Sequence, residues 1–177
     1  SDSLLSRVQR EFPTALLVHR LDLGTSGVVV FALRRKAERE LKRQFAERLV
    51  KKRYLAVVAG VMSAEPGEIN LPLSADPDET PKQRVDAGGK PAQTLYKALD
   101  YDASQDISRV LLTPITGRSH QLRVHLMSIG HPITGDRLYH PNPDWSPLNR
   151  MALHASYLAF KQPLSGEYLE IQGVVPF

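Results

Sequence analysis

The segment from His19 to Ala32 constrains the fold more than any other part of this chain. Two cationic side chains and the carboxylate of Asp22 stand within four residues, followed by a glycine-bracketed turn and an apolar run. A carboxylate is costly to bury unless a cation and hydrogen bonds compensate for it. We therefore expect Asp22 to be either an ion-paired structural group or a reactive group, at the start of a buried strand over residues 28–33.

Length and composition predict one ordinary globular domain over residues 1–177, with 42% hydrophobic and 24% charged residues. The absence of cysteine excludes disulfides, thiolate nucleophiles and cysteine-ligated zinc, and it fits a reducing compartment. No apolar run reaches the roughly 18 residues of a membrane span, and no signal-peptide pattern is present. We expect a cytoplasmic protein without a membrane partner.

Positive charge is concentrated in residues 34–53, although the whole chain has a formal net charge of only +4. This block holds ten basic residues against three glutamates, which gives it a charge of +7. One interpretation is a solvated helix face with ion pairs such as Glu38–Lys42. The excess of positive charge favours the other interpretation, a surface that binds a nucleic acid.

The hydrophobic pattern predicts an α+β fold with a mixed, mainly antiparallel sheet and flanking helices. A helix is predicted over residues 36–50, with Ala37, Leu41, Phe45 and Leu49 on its inner face. A second helix, capped by Ser119, is expected to end near Gly130. Strands are predicted over residues 54–61, 93–100, 107–113, 151–160 and 167–174, with a hairpin or extended loop over 63–91 and a loop over 131–149.

Several kinds of site are excluded by spacing. His120 and His125 stand five residues apart, so on a helix they point about 140° away from each other and make a poor metal pair. The stretch Gly88-Gly89-Lys90 lacks the spacing of a phosphate-binding loop. We expect no metal site.

The groups that remain are Asp22, a cationic segment from Arg118 to Arg123 at a helix start, and Tyr54 at the start of a strand. Each has a plain structural alternative, which is a solvated helix face for the cations and a packing role for the tyrosine. Together, a carboxylate, an arginine, an aromatic ring and a basic surface suit chemistry on a nucleotide, without specifying the reaction.

The chain resembles the RluA-type pseudouridine synthases over nearly its whole length. The family signature His-Arg-Leu-Asp-x-x-Thr-Ser-Gly stands at residues 19–27, and the Lys-x-Tyr pattern stands at Lys52–Gly60. Further motifs match at residues 89–94, 116–125, 130–136 and 153–155. Several long motifs in the family's order make the resemblance specific.

The resemblance implies an enzyme that isomerises uridine in RNA without a metal or another cofactor. Asp22 would be the catalytic carboxylate, Arg123 its ion-pair partner, Tyr54 a neighbour of the uracil ring and Leu153 the floor of the base pocket. Arg20 would enter the RNA stack, and Arg118 and His120 would lie near the RNA backbone. The predicted basic helix would add RNA contacts through Arg39, Lys42 and Arg43.

The wording of the motifs is most similar to the RluA subgroup. The resemblance therefore implies an enzyme that modifies a hairpin of 23S large-subunit rRNA, an anticodon stem-loop of tRNA, or both. We expect it to be a monomer. The chain lacks the family's first strand segment with its Asn-Lys-Pro-x-Gly motif and an S4-like domain, so we expect an N-terminally shortened catalytic domain. Two alternatives stay open: a non-catalytic RNA-binding relative or inactive fragment, and a metal-dependent nuclease.

Overall fold

The computed structural model describes residues 2–177, which form three helices and eleven strands. The helices are α1 (Leu4–Glu11), α2 (Arg35–Ala46) and α3 (Gln121–Ser128). The first strands are β1 (Leu16–Leu17), β2 (Ser26–Gly27), β3 (Phe31–Ala32), β4 (Lys51–Ala59), β5 (Gly67–Asn70) and β6 (Leu73–Ala75). The others are β7 (Gln83–Val85), β8 (Gln93–Asp102), β9 (Ile107–Pro114), β10 (Leu153–Lys161) and β11 (Tyr168–Gln172).

A seven-stranded sheet organises the fold, with the strand order β11-β10-β4-β9-β8-β5 and with β2 beside β10. All neighbours are antiparallel except β2 and β10. The predicted α+β class with a mainly antiparallel sheet is therefore confirmed. The strands predicted over 93–100 and 107–113 pair as the hairpin β8–β9, and residues 63–91 contain β5 and the hairpin β6–β7.

The main hydrophobic core joins the central strands to α3. Val58 of β4, Val110 and Leu112 of β9, and Leu126 of α3 are fully buried in it, together with Ile133 from the loop that follows. A second cluster packs the inner face of α2, through Leu41, against β3 and β10. Burial of a large aliphatic side chain stabilises a fold by about 1.5–3 kcal/mol. These two clusters fix the strands that carry the site.

Helix α2 ends four residues earlier than predicted, at Ala46. Arg48 adopts the left-handed conformation, with φ of 58°, and the amide of Leu49 donates to the carbonyl of Gln44 at 2.9 Å. Together with the bond from the Arg48 amide to Phe45, this is a Schellman motif, which ends a helix. Leu49 is consequently exposed, and the prediction that it continues the inner face is wrong.

The buried strand predicted over residues 28–33 is largely wrong. Only Phe31–Ala32 forms a strand there, and it pairs with β1 outside the main sheet. Gly27 causes the departure: its φ is 125°, and a Cβ on it would lie 2.2 Å from the carbonyl oxygen of Ala155. The glycine lets β2 approach β10, and the chain then turns away. Periodicity cannot show such a turn inside an apolar run.

The expectation that Ser119 caps an amphipathic helix is also wrong. Helix α3 is preceded by His120 in the left-handed conformation, with φ of 55° and no side-chain cap. Its first six residues, from Gln121 to Leu126, are all buried, polar and apolar alike. The sequence pattern implied a solvated polar face, but tertiary partners satisfy those polar groups instead. Within residues 2–177, no helix is long and apolar enough to cross a bilayer.

Candidate active site

Six of the predicted site residues meet around one cavity of about 220 Å³. They come from four parts of the chain: the loop after β1, strand β4, the segment before α3, and the start of β10. The six residues are Arg20, Asp22, Tyr54, Arg118, His120 and Leu153. Arg123 lies behind Asp22, whereas Arg39, Lys42 and Arg43 of α2 do not line this cavity.

A tight turn places Asp22 at the cavity wall. The amide of Thr25 donates to the carbonyl of Asp22 at 3.0 Å, and Gly24 has a φ of 86°. A four-residue turn with a positive φ at its third position suits glycine there. Leu23 forms the tip of the turn and is 97% exposed. The side chain of Asp22 remains 33% exposed, so its carboxylate is accessible from the cavity.

Arg123 has two carboxylate partners of unequal strength. Its Nη1 lies 3.4 Å from an oxygen of Asp22, whereas its Nε and Nη2 each donate to Asp136 at 2.8 Å. The planar guanidinium suits such paired hydrogen bonds. The structure thus brings Asp22 and Arg123 together as the resemblance implied, but the tighter partner of Arg123 is Asp136.

The pair between Arg123 and Asp136 lies in the interior. Arg123 is 6% exposed and Asp136 is fully buried. Burial tends to lower the pKa of Arg123, but hydrogen bonds and charge from Asp136, then from Asp22, raise its pKa above the ordinary value. The guanidinium is therefore a fixed positive charge behind Asp22.

Asp136 was missed as a functional residue. Its Oδ1 also accepts from the backbone amides of Leu138 at 3.0 Å and Tyr139 at 3.3 Å. The preceding Gly135 has a φ of 76°, and a Cβ there would lie 2.2 Å from the carbonyl of Arg150. The sequence signal for this residue was its place directly after a glycine inside a family motif. That signal did not show that Asp136 pairs with Arg123.

His120 is oriented by Tyr139. The Oη of Tyr139 accepts from the amide of Gln83 at 2.9 Å and lies 2.5 Å from Nδ1 of His120. When the phenol donates its proton to Nδ1, a neutral His120 carries its own proton on Nε2. Burial and then the charge of Arg123 lower the pKa of His120, which favours this neutral form.

Tyr54 and Leu153 are positioned by the centre of the sheet. Tyr54 stands opposite Ala155 of β10 and Leu112 of β9, and Leu153 is 3% exposed at the start of β10. Burial and the charge of Asp22 raise the pKa of Tyr54 to about 12. Its phenol is thus protonated near neutral pH. A neutral phenol ring and an aliphatic side chain beside a carboxylate can hold a planar polar base.

The basic rim consists of Arg20, Lys52 and Arg118. The Nε of Arg118 donates to the carbonyl of Pro91 at 3.0 Å, and its backbone amide donates to buried Gln121 at 3.1 Å. Arg20 is exposed at the mouth of the cavity. Lys52 was not predicted as a site residue, although the Lys-x-Tyr pattern contained it.

The cations of α2 are mostly ion-paired on the protein surface. Arg43 pairs with Glu40 at 2.6 Å and also with Glu47, and Lys42 pairs with Glu38 at 3.4 Å. Arg39 is exposed and has no ion pair within residues 2–177. This part of the basic block therefore fits the solvated-face interpretation better than its net charge indicated.

A family model described as RNA pseudouridylate synthase matches residues 4–128. This chain belongs to that family. It is 49% identical over 177 residues to "Dual-specificity RNA pseudouridine synthase RluA" of Escherichia coli (strain K12), covering 99% of this chain and 80% of the relative. The protein of the same name from Yersinia pestis is 52% identical over 167 residues, covering 93% and 80%.

Solved structures agree with this membership. "Human RNA Pseudouridylate Synthase Domain Containing 1" superposes with a TM-score of 0.88 at 33% identity, covering 99% of this chain and 75% of that one. "Human RNA Pseudouridylate Synthase Domain Containing 4" superposes with a TM-score of 0.68 at 29% identity, covering 92% of this chain and 72% of that one. The resemblance seen in the sequence is confirmed, and the chain is a pseudouridine synthase, an isomerase that acts on RNA.

Within the described residues, no group of three or more histidine or acidic side chains is arranged to hold a metal ion.

Proposed function

We propose that Asp22 is the catalytic carboxylate that isomerises specific uridines to pseudouridine in structured RNA. The observation that carries this proposal is the placement of its carboxylate. It lies in the wall of a cavity, 3.4 Å from a buried arginine that Asp136 holds from behind. Tyr54 and Leu153 line the same cavity, beside the carboxylate. This arrangement supplies one accessible carboxylate beside a fixed positive charge.

The reaction needs no external oxidant, reductant or energy source. The bond between N1 and C1′ breaks, the uracil turns within the pocket, and a bond forms between C5 and C1′. C5 then loses a proton and N1 gains one, so atoms and electrons balance. Asp22 acts at the sugar or the base, with the positive charge of Arg123 3.4 Å from its carboxylate.

The other side chains have supporting roles in this proposal. Arg123 is the electrostatic partner of Asp22, and Asp136 is a positioning residue that acts through Arg123. Tyr54 packs against the uracil and can donate a hydrogen bond. Its pKa of about 12 makes the phenolate rare at neutral pH, so we do not assign it the removal of the C5 proton. Leu153 forms the floor under the base.

The target base must leave its stack to reach this cavity, which costs a few kcal/mol. Arg20 stands exposed at the mouth, where its guanidinium can replace the departed base in the stack. Arg118 and His120 are placed to contact the RNA backbone beside it. Arg39, Lys42 and Arg43 contribute to the field that attracts the polyanion. Arg39, which is exposed and has no ion pair within residues 2–177, is expected to contribute most of the three.

For substrates, we propose a hairpin of 23S rRNA and an anticodon stem-loop of tRNA. The support is the 49% identity, over 99% of this chain, to an enzyme whose name states dual specificity. RNA of this kind is recognised largely by the shape of its loop. We further propose a monomeric, cytoplasmic enzyme without a membrane partner, with residues 1–177 as one catalytic domain that needs no cofactor.

The alternative of a non-catalytic RNA-binding relative is not favoured, because Asp22, Arg123 and Asp136 form an intact constellation. The test is tritium release from both RNA stem-loops, transcribed with 5-tritiated uridine, in the presence of EDTA. We expect release from both. Release from neither, despite RNA binding, would overturn the proposal in favour of a binding protein. Release that stops in EDTA would indicate a metal-dependent reaction.

A further inference from the structure

A second groove adjoins the catalytic cavity, with a volume of about 420 Å³. It shares Arg20, Lys52, Tyr54 and Arg118 with the cavity, so the two are continuous. Arg48 lines it at the end of α2. Of the residues that the structure describes, none of those lining this groove is acidic. Four cations around one concave surface without a carboxylate favour an anionic ligand.

We propose that this groove binds the nucleotide adjacent to the target uridine, with Arg48 and Lys52 holding the phosphate that joins the two. This inference rests on the proposed function, since it extends the same RNA strand from the catalytic cavity. It goes beyond that function in two ways. It assigns a specific phosphate to two residues outside the predicted site, and it places a neighbouring nucleoside against the rings of His19 and Phe45.

Lys52 is the first observation in support. Its side chain is half-buried, and within residues 2–177 its ammonium has no ion pair and no hydrogen bond. It lies against Gly117, where a Cβ would be 3.2 Å from Nζ. Burial lowers the pKa of Lys52. A half-buried cation without a partner is unfavourable, and a phosphate in the groove would offset that cost.

Arg48 is the second observation. It occupies the left-handed position that closes the Schellman motif, where glycine is the usual residue. A residue with a Cβ is less favourable than glycine in this conformation. Its neighbours on α2, Lys42 and Arg43, pair with glutamates, whereas Arg48 has no ion pair within the described part of the chain. An arginine in a conformation that favours glycine, beside a cationic groove, points to a use for its charge.

The aromatic wall of the groove is the third observation. His19 and Phe45 stack with ring centroids 4.6 Å apart and an interplanar angle of 23°. Burial and the charge of Lys52 lower the pKa of His19 to about 4, so its ring is neutral at physiological pH. Neutral aromatic surfaces beside cations are how proteins hold the base or ribose of single-stranded nucleotides.

The first test compares RNA affinity over a series of salt concentrations, using an anticodon stem-loop. Arg48→Gly removes the cation while giving the backbone its preferred residue, and Lys52→Gln removes the second cation. Each should make the negative slope of log K against log salt concentration shallower by about 0.7–0.9, which is the value of one phosphate contact. Lys97→Gln removes an exposed cation that lines neither the cavity nor the groove, and it is expected to leave the slope unchanged.

Thermal melting separates binding from stability in the same variants. Arg48→Gly should melt at the same temperature as the wild type or higher, although it binds RNA more weakly. Its KM should rise about three- to tenfold with kcat nearly unchanged, because the lost contact is to a flanking phosphate. If the slope is unchanged in both Arg48→Gly and Lys52→Gln, the groove does not hold a phosphate and the proposal is wrong.

The second test locates the phosphate. Methylphosphonate replaces, one at a time, the phosphates 5′ and 3′ of the target uridine, which removes a single negative charge. At one of the two positions the loss of affinity should be non-additive with Arg48→Gly. Additive losses at both positions would overturn the inference. Failure of the proposed function is distinguishable, because wild type would then release no tritium while the salt slopes still report on the groove.

Discussion

Helices α2 and α3 both carry arginine, yet they use it in opposite ways. On α2, Arg43 lies on the surface and pairs with glutamates of its own helix. On α3, Arg123 is buried and pairs with two acids outside its own helix, Asp22 and Asp136. A charge in water is solvated whether or not it has a partner, whereas a buried charge depends on its partner. The proposed catalytic site contains the second kind.

The largest expected effect concerns this buried pair. Arg123→Ala leaves fully buried Asp136 without its cation, and Asp136→Ala leaves the guanidinium with only the more distant Asp22. Either change should lower the free energy of unfolding by about 3–5 kcal/mol. Urea denaturation at pH 7 measures this loss, and Arg43→Ala on α2 is the matched control.

A double variant sharpens the same point. Replacing Arg123 by Met and Asp136 by Asn removes both charges and keeps an oxygen that accepts from the amides of Leu138 and Tyr139. The unfolding free energy should therefore recover most of the loss, while activity should be absent. A loss of less than 1 kcal/mol in both single variants would mean that the buried pair differs little from a surface pair. The arginine pairs of the two helices would then not differ in how much they stabilise the protein.

The next effect concerns the inner side of α2, where His19 stacks on Phe45. The folded pKa of His19 is about 4, and the unfolded value is about 6.5. Between these values the unfolded chain binds the proton and the folded chain does not, so stability falls as pH falls from 6.5 to 4. The neutral His19 therefore contributes about 1–3 kcal/mol to the free energy of unfolding. This contribution is fully present above pH 6.5 and is lost as the pH falls to 4.

His19→Gln measures that contribution. The glutamine has no titrating group, and its oxygen can still accept from the amide of Val30, as Nε2 of His19 does at 3.0 Å. Urea denaturation at pH 7.5 and pH 4.5 should show a smaller acid loss in the variant than in wild type. Equal losses would mean that His19 titrates normally and that the aromatic contact on α2 is weak.

A smaller effect is expected for RNA binding by the outer face of α2. Charge reversal of Arg39, Lys42 and Arg43 together should flatten the salt dependence of RNA affinity. The change per residue should be smaller than that of Arg48→Gly, because Lys42 and Arg43 are already paired with glutamates. An unchanged slope would exclude α2 from the RNA surface.

The smallest effect is on stability at the same face. Arg43→Gln breaks two exposed ion pairs, and it should change the melting temperature very little because both groups stay solvated. Thermal melting at low and high salt measures this, with the difference shrinking as salt rises. A salt-independent loss of stability as large as that of Arg123→Ala would show that surface pairs on α2 matter as much as the buried pair.

The two helices also show what could be predicted from the sequence. The period of Ala37, Leu41 and Phe45 correctly identified α2, because its inner face is apolar and its outer face meets water. The hairpin β8–β9 was predictable from the strand patterns on either side of a polar turn. Motif matching identified Asp22, Tyr54 and Leu153, which the structure brings to one cavity.

What could not be predicted depends on long-range pairing. The buried polar residues of α3, such as Gln121 and His125, are satisfied by partners on other elements, so their pattern resembles a solvated face. The pairing of Arg123 with Asp136 is set by the return of a loop, which no local rule describes. The left-handed residues Arg48 and His120 end and begin helices where the usual cap residues are absent.

The measurement that tests the central claim most directly is tritium release by Asp22→Asn beside wild type, together with the RNA affinity and melting temperature of both. The side chain of Asp22 is partly exposed and only loosely paired, so asparagine should leave affinity within a few-fold and melting nearly unchanged. Tritium release should be abolished. Release near the wild-type rate, or a large loss of folding or binding, would show that Asp22 is a structural carboxylate and would contradict the account.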